Sequence, residues 1–261
     1  MCCKRKFILA ATSNIRLQTI AASVILAALL CASCSSPGNT TVSSGASICQ
    51  APPNGNGPFT YVAIGASDAV GFGAQCMNSQ GYVPLLFMKM PKGTRLINLG
   101  IFGETVGGAL SAELPEAIQA HPNIITIWLA ANDLRSFEKS GTPTLAQYTQ
   151  QLNTLLQSLR QQTNANVFVA NLPQLTYLPA FQHDTTPLAV VQQQNISWNN
   201  AIAAVVQQNN DHLVNLYALD LANHQNYIFS DGFHPSTLGY QALANLFWAV
   251  ITASGGVQSF K

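Results

Sequence analysis

Charge is what this chain of 261 residues has least of. Asp, Glu, Lys and Arg make up 8% of it, against roughly a quarter in an ordinary soluble protein. The shortfall is filled by Asn, Gln, Ser and Thr without low-complexity repeats, and 48% of the residues are hydrophobic, so a globular chain is expected and a disordered one excluded. No basic stripe is present, which excludes nucleic acid as the expected partner. Beyond residue 34 there is no Cys-x-x-Cys and no paired His, so the domain has no metal-site spacing, and neither a metal nor another cofactor is expected. No internal repeat is evident, and no segment after residue 34 is apolar for long enough to cross a membrane. A surface this poor in charge suits variable or acidic surroundings; a sharp loss of folding below neutral pH would contradict that expectation.

The basic residues that do occur are concentrated early. Lys4, Arg5, Lys6 and Arg16 precede an apolar run from Thr19 to Cys31, which has the layout of an export signal and is short for a membrane span. The run closes on Cys31-Ala32-Ser33-Cys34, followed by Ser35-Ser36-Pro37-Gly38. Small residues before a cysteine and a polar stretch after it resemble the lipobox of bacterial lipoproteins. That resemblance implies a signal segment over 1–34 and lipidation of Cys34 as the first mature residue. Cys31 stands where the lipobox has Leu, which leaves plain secretory cleavage open; mass spectrometry of the mature N-terminus separates the two. Either way the protein is expected to be exported, to the cell envelope (lipid-anchored, periplasmic or at the outer surface) or into the medium. Its only expected membrane contact is the N-terminal lipid.

Residues 35–57, rich in Ser, Gly, Asn, Thr and Pro, read as a flexible linker, and 58–261 as one domain. Removing the leader takes four basic residues, leaving seven Lys and Arg (11 − 4) against ten acids, a mildly acidic remainder. Of six cysteines, only Cys49 and Cys76 lie beyond the leader, and an oxidising compartment allows a disulfide between them.

Apolar runs at Phe59–Gly65, Arg95–Leu99, Ile124–Leu129, Asn166–Ala170 and Leu213–Leu219 read as strands. Helices are expected between and after them: Tyr82–Met90, Val106–Ala120, one opened by Thr142 as N-cap with Pro143 at its first position, Leu188–Asn209 after Thr186-Pro187, and Ser236–Thr252. This β-α alternation predicts an α/β fold, a mainly parallel five-stranded sheet in a three-layer α/β/α sandwich. A monomer is expected.

The chemistry-bearing residues fall where the strands end. The first strand runs into Gly65-Ala66-Ser67-Asp68, the second into Gly100-Ile101-Phe102-Gly103-Glu104-Thr105 and the third into Ala131-Asn132-Asp133. The loop after the fifth carries Asp231-Gly232-Phe233-His234-Pro235. Carboxyl ends of parallel strands share one rim, so these groups can converge there. Serine, histidine and aspartate are the parts of an acyl-transfer site, and a backbone N–H at Gly103 with the Asn132 amide can serve a developing oxyanion. Taken in order, the four segments resemble the four sequence blocks of the SGNH (GDSL-type) serine hydrolases, over nearly all of residues 59–253. The resemblance implies Ser67 as nucleophile and first oxyanion donor, Gly103 and Asn132 as the other donors, His234 as base and Asp231 as its orienting partner. The usual Gly-Asp-Ser is here Gly-Ala-Ser, with Asp68 after the serine, where it reads as a turn or helix-start residue. An α/β-hydrolase elbow, Gly-x-Ser-x-Gly, is not met because Ala69 holds its last position.

The expected function is hydrolysis of carboxylic esters through an acyl-enzyme, of the lipase, acyl-esterase or carbohydrate acetylesterase type. The partner would be a small-molecule, glycan or lipid ester. The alternative is a non-catalytic surface-anchored binding protein on a hydrolase scaffold. Two loops, Leu134–Gly141 and Leu172–Thr185, are expected to shape the pocket, the second forming an apolar acyl wall with Tyr177, Leu178, Pro179 and Phe181.

Overall fold

In the computed structural model, which describes residues 49–257, the apolar runs form one five-stranded parallel sheet. The expected signal segment, Cys34 and the linker up to residue 48 lie outside the described residues. The strands are β1 (Thr60–Gly65), β2 (Arg95–Asn98), β3 (Ile124–Trp128), β4 (Asn166–Ala170) and β5 (His212–Val214), in the order β2-β1-β3-β4-β5. The helices are α1 (Ser67–Val70), α2 (Met77–Gln80), α3 (Tyr82–Phe87), α4 (Val106–Ala112), α5 (Leu114–Gln119), α6 (Ala131–Ser140), α7 (Leu145–Gln162), α8 (Pro179–Gln182), α9 (Leu188–Gln208) and α10 (Thr237–Ala253).

Alternation along the central strands builds two cores. Val62, Ile64, Ile125, Ile127, Val167 and Val169 pack under α4, α5, α7 and α9. Their neighbours Tyr61, Ala63, Ile124, Trp128, Phe168 and Ala170 pack under α3 and α10. Successive side chains of a strand point to opposite faces, so an unbroken apolar run fills both layers of a sandwich. The result is a three-layer α/β/α fold. The strand order reverses between β1 and β3, and the crevice beyond the carboxyl ends of two such strands is where this topology places a ligand. Ser67 follows β1 and Asn132 follows β3.

Four local expectations differ from the structure. The helix expected over Val106–Ala120 is two helices joined at Glu113, because Pro115 has no N–H to give and its ring crowds the carbonyl four residues back. The helix expected to open at Thr142-Pro143 starts two residues later: Thr144 is the N-cap, its hydroxyl accepting from Gln147 N while the Gln147 side chain accepts from Thr144 N. The Thr142–Pro143 peptide is cis and precedes this cap. The last strand, expected at Leu213–Leu219, stops at Val214. Beyond it the Asn171 carboxamide takes the backbone, accepting from Leu216 N at 2.7 Å and Tyr217 N at 3.3 Å, and the chain turns into a 3₁₀ helix. The segment Leu134–Gly141 is not a loop but the body of α6, closed by Gly141 at φ 76° with its N–H on Phe137 O.

Cys49 and Cys76 are joined by a disulfide, Cα–Cα 4.9 Å, which ties the incoming chain to the start of α2. Among the described residues no helix is long and apolar enough to cross a membrane.

Candidate active site

β1 ends at Gly65, and Ser67 opens α1 directly after it, so its N–H belongs to a first helical turn and has no carbonyl four residues back to bond. Gly71, at φ 91°, ends this short helix with its N–H on Ser67 O and Asp68 O. The Ser67 hydroxyl lies 2.8 Å from His234 Nε2, although 167 residues separate the two in sequence. His234 Nδ1 lies 2.6 Å from Asp231 Oδ2. An ionised carboxylate only accepts, so Nδ1 carries the proton and Nε2 faces Ser67 with its lone pair. The other carboxylate oxygen, Oδ1, accepts from Phe233 N at 2.9 Å and His234 N at 3.0 Å. Burial works against the Asp231 charge, but these amides and the imidazole outweigh it and hold the carboxyl below its ordinary value. The loop itself is clamped at Gly232, where a side chain would meet Pro179.

Gly103 adopts φ 76°, which glycine reaches without penalty, and faces open space. Asn132, in the first turn of α6, donates one Nδ2 hydrogen to Glu104 O at 2.8 Å. Its amide is thereby held beside the Gly103–Glu104 segment with a second N–H to spare. The next residue reinforces this. Asp133 is fully buried, and both its oxygens accept from Val106 N at 3.2 Å, which ties the start of α6 to the start of α4. Burial pushes its carboxyl up to about 7, the Val106 amide opposing and Glu104 adding to the rise. Ala130, at φ 144°, holds a conformation that L-residues rarely adopt, at the point where β3 turns into α6.

The structure therefore brings Ser67, Gly103, Asn132, Asp231 and His234 to one rim. All but Asp231, which stands behind the His234 ring, border a cleft of about 320 Å³ whose remaining walls are Phe72, Phe102, Phe233 and Arg135. Phe72 and Phe233 each meet the His234 ring edge to face, at 4.7 and 4.9 Å between centroids. Sequence reasoning did not find these four wall residues. Behind His234 lies a second, apolar cavity of about 50 Å³, reached by Leu175, Leu178, Leu219, Phe233 and Asp68. Asp68 is buried there, its carboxyl pushed up to about 6 by burial, with the His234 charge pulling it down and Asp231 pushing it up.

The expected acyl wall at 172–185 is placed differently. None of Tyr177, Leu178, Pro179 and Phe181 borders the cleft at Ser67. Leu178 and Phe181 are 5% and 1% exposed, and Phe181 packs on Phe233 at 6.2 Å. An apolar loop here buries itself to support the Asp231–His234 turn. Among the described residues no group of three or more His, Cys, Asp or Glu side chains could hold a metal ion.

A serine hydroxyl against an imidazole lone pair, with backbone and amide donors alongside, is an arrangement able to form and resolve a tetrahedral adduct on a carbonyl. Comparison with known proteins agrees in kind. The GDSL-like lipase/acylhydrolase family matches residues 63–242. No curated protein sequence matches. Among solved structures, the acetyl xylan esterase AlAXEase superposes with a TM-score of 0.60 at 18% identity, over 74% of this chain and 100% of its own. TesA superposes at 0.60 with 24% identity, over 74% and 98%. A psychrotrophic esterase, EstA from Pseudoalteromonas sp., superposes at 0.58 with 24% identity, over 75% and 97%.

Proposed function

The chain belongs to the GDSL-like lipase/acylhydrolase family and is an esterase of the SGNH type; from that premise we propose that Ser67, His234 and Asp231 carry out the hydrolysis of a carboxylic ester in an exported protein. The observation that carries the assignment is the 2.8 Å contact between Ser67 Oγ and His234 Nε2, with Asp231 2.6 Å behind the ring. Ser67 Oγ attacks the ester carbonyl carbon as its proton passes to Nε2. The carbonyl oxygen becomes an oxyanion held by the N–H groups of Ser67 and Gly103 and by Nδ2 of Asn132. The tetrahedral adduct collapses, the C–O bond to the alcohol breaks, and His234 returns its proton to the departing oxygen. Water then attacks the acyl-serine with His234 again taking the proton, releasing the acid and restoring Ser67.

Asp231 stays ionised throughout and stabilises the imidazolium that forms twice in each cycle. The Cys49–Cys76 disulfide supports an oxidising compartment, in keeping with cleavage of an export signal and lipidation at Cys34. The structural neighbours include acetyl xylan esterases and a lipase/acylhydrolase from Enterococcus faecalis, which makes acetylated sugars and short acyl esters the first substrates to try. Ser67→Ala is expected to remove both ester turnover and labelling by a fluorophosphonate, with the fold unchanged by circular dichroism. Full activity in that variant would reject the mechanism.

A further inference from the structure

In a chain poor in charge, one cation stands at the cleft. We propose that Arg135 determines specificity by receiving an anionic group of the substrate, so that the preferred ester carries a carboxylate within reach of its reacting carbonyl. This rests on the hydrolase reading of the same cleft.

Arg135 is the one Lys or Arg that borders the cleft among the described residues. It stands one turn after Asn132 on α6, and i,i+3 residues share a helix face. Helical side chains lean toward the N-terminus of their own helix, so the guanidinium reaches back toward the end that holds Asn132. Two rings fix it there: the guanidinium carbon lies 5.2 Å from the centroid of Phe181 and 5.4 Å from that of Phe233. Phe181 is buried, and Phe233 adjoins His234 in sequence and in space. The cation is thus held on the rim where an ester would react.

Its hydrogen bonding is incomplete. Nη1 is buried without an acceptor, and Arg135 makes no ion pair among the described residues. Glu138, one turn further along α6, is close enough for Arg135 to favour its charge, yet it forms no pair, and its Oε1 is also buried without a partner. A guanidinium presents a planar fork of donors that matches a carboxylate with two parallel bonds. Arg135 is only half-buried and lines the cleft, so a substrate carboxylate entering it would meet the exposed part of the side chain, and a cleft of about 320 Å³ has room for a short acyl chain with its charge. A clamp that merely fastened α6 to Phe181 and Phe233 would not respond to substrate charge.

The test compares matched esters, followed by titration of released acid. On the acyl side, monoethyl glutarate is set against ethyl pentanoate; on the alcohol side, acetoxyacetate against propyl acetate. The quantity read is the ratio of kcat/KM for the anionic over the neutral member, in wild type, Arg135→Lys and Arg135→Gln, because a general loss of activity cancels in it. On one of the two arms Arg135→Gln is expected to lower the ratio about tenfold, as befits a charge-assisted pair at a partly exposed site. Arg135→Lys should fall between, keeping the charge and losing the fork. In wild type, 1 M NaCl should pull the ratio toward that of Arg135→Gln. Ratios that are the same in all three proteins on both arms overturn the proposal. If Arg135→Gln does not fold, a wild-type ratio indifferent to salt and unchanged in Arg135→Lys overturns it equally. Failure to hydrolyse either anionic ester, in a protein whose Ser67 a fluorophosphonate labels, overturns the proposal; no cleavage of any of the four together with no labelling rejects the hydrolase reading, and this inference with it.

Discussion

Glu113 joins the break between α4 and α5 to the strand that leads to Ser67, and its replacement tests how the rim is held. Its Oε1 accepts from Gly65 N at 2.9 Å, its Oε2 is buried without a partner, and the residue is 1% exposed. Burial pushes the carboxyl from an ordinary 4.5 up to about 8, the Gly65 amide opposing and Glu104 adding to the rise. The sign follows from linkage. Below pH 4.5 the group is protonated in folded and unfolded chains alike, and its contribution is fully present. Between 4.5 and about 8 the unfolded chain releases the proton that the folded chain keeps, so stability falls as pH rises, and the loss levels off above about 8. The slope is at most about 1.4 kcal/mol per pH unit, which comes to about 3 kcal/mol between pH 5 and pH 8. Glu113→Gln keeps an oxygen for the Gly65 amide and cannot ionise. The stability gap between variant and wild type should therefore move in the variant's favour by about 3 kcal/mol over that range, read from urea unfolding at pH 5, 6, 7 and 8. Taking the difference removes Asp68, Asp133 and Asp211, whose carboxyls are also raised, to about 6, about 7 and about 6. A gap that stays constant with pH refutes the assignment.

Two further outcomes are expected. Replacing Cys49 and Cys76 together by Ala opens a loop of 27 residues, for which the chain-entropy relation gives a loss of about 3–4 kcal/mol; urea midpoints that coincide for the two proteins would show that the bridge adds nothing. Asn132→Ala should lower kcat on a short acyl ester by about 10²–10³ while moving KM little, and an unchanged kcat would remove the amide from the proposed oxyanion site.

The central strands were legible because strands buried on both faces leave unbroken apolar runs, as β1, β3 and β4 do. The end of the edge strand β5 was not, since it is decided by the Asn171 side chain, which no local pattern announces. Apolar spacing alone carries a helix straight from Val106 to Ala120, whereas Pro115 in the same stretch already argues for the break. The four site segments could be read for a related reason: each sits at a strand end, and a parallel sheet brings such ends together whatever their distance in sequence. Arg135 and Phe233 as cleft walls could not be, because the first requires α6 to begin at Ala131 and the second requires the Asp231 turn to fold over it. Gly141 was the available sign of that helix, as a left-handed stop after ten residues free of Gly and Pro.

The scarcity of charge carries a sharper lesson than composition alone suggests. The buried acidic side chains are Asp68, Glu113 and Asp133, and all three lie beside the rim. Asp68 follows the serine, Glu113 holds the amide of Gly65 two residues before it, and Asp133 holds the amide of Val106 three residues after Gly103. Two of them thus act through backbone N–H groups on the segments that present Ser67 and Gly103, where an amide or hydroxyl would serve at lower desolvation cost. Carboxyls in these positions bond the backbone at the expense of a pH-dependent stability, and that expense falls as the medium becomes more acidic. A low surface charge and a rim held by acids of raised pKa therefore favour the same condition. The fall in stability from pH 5 to pH 8 is the measurable form of that agreement.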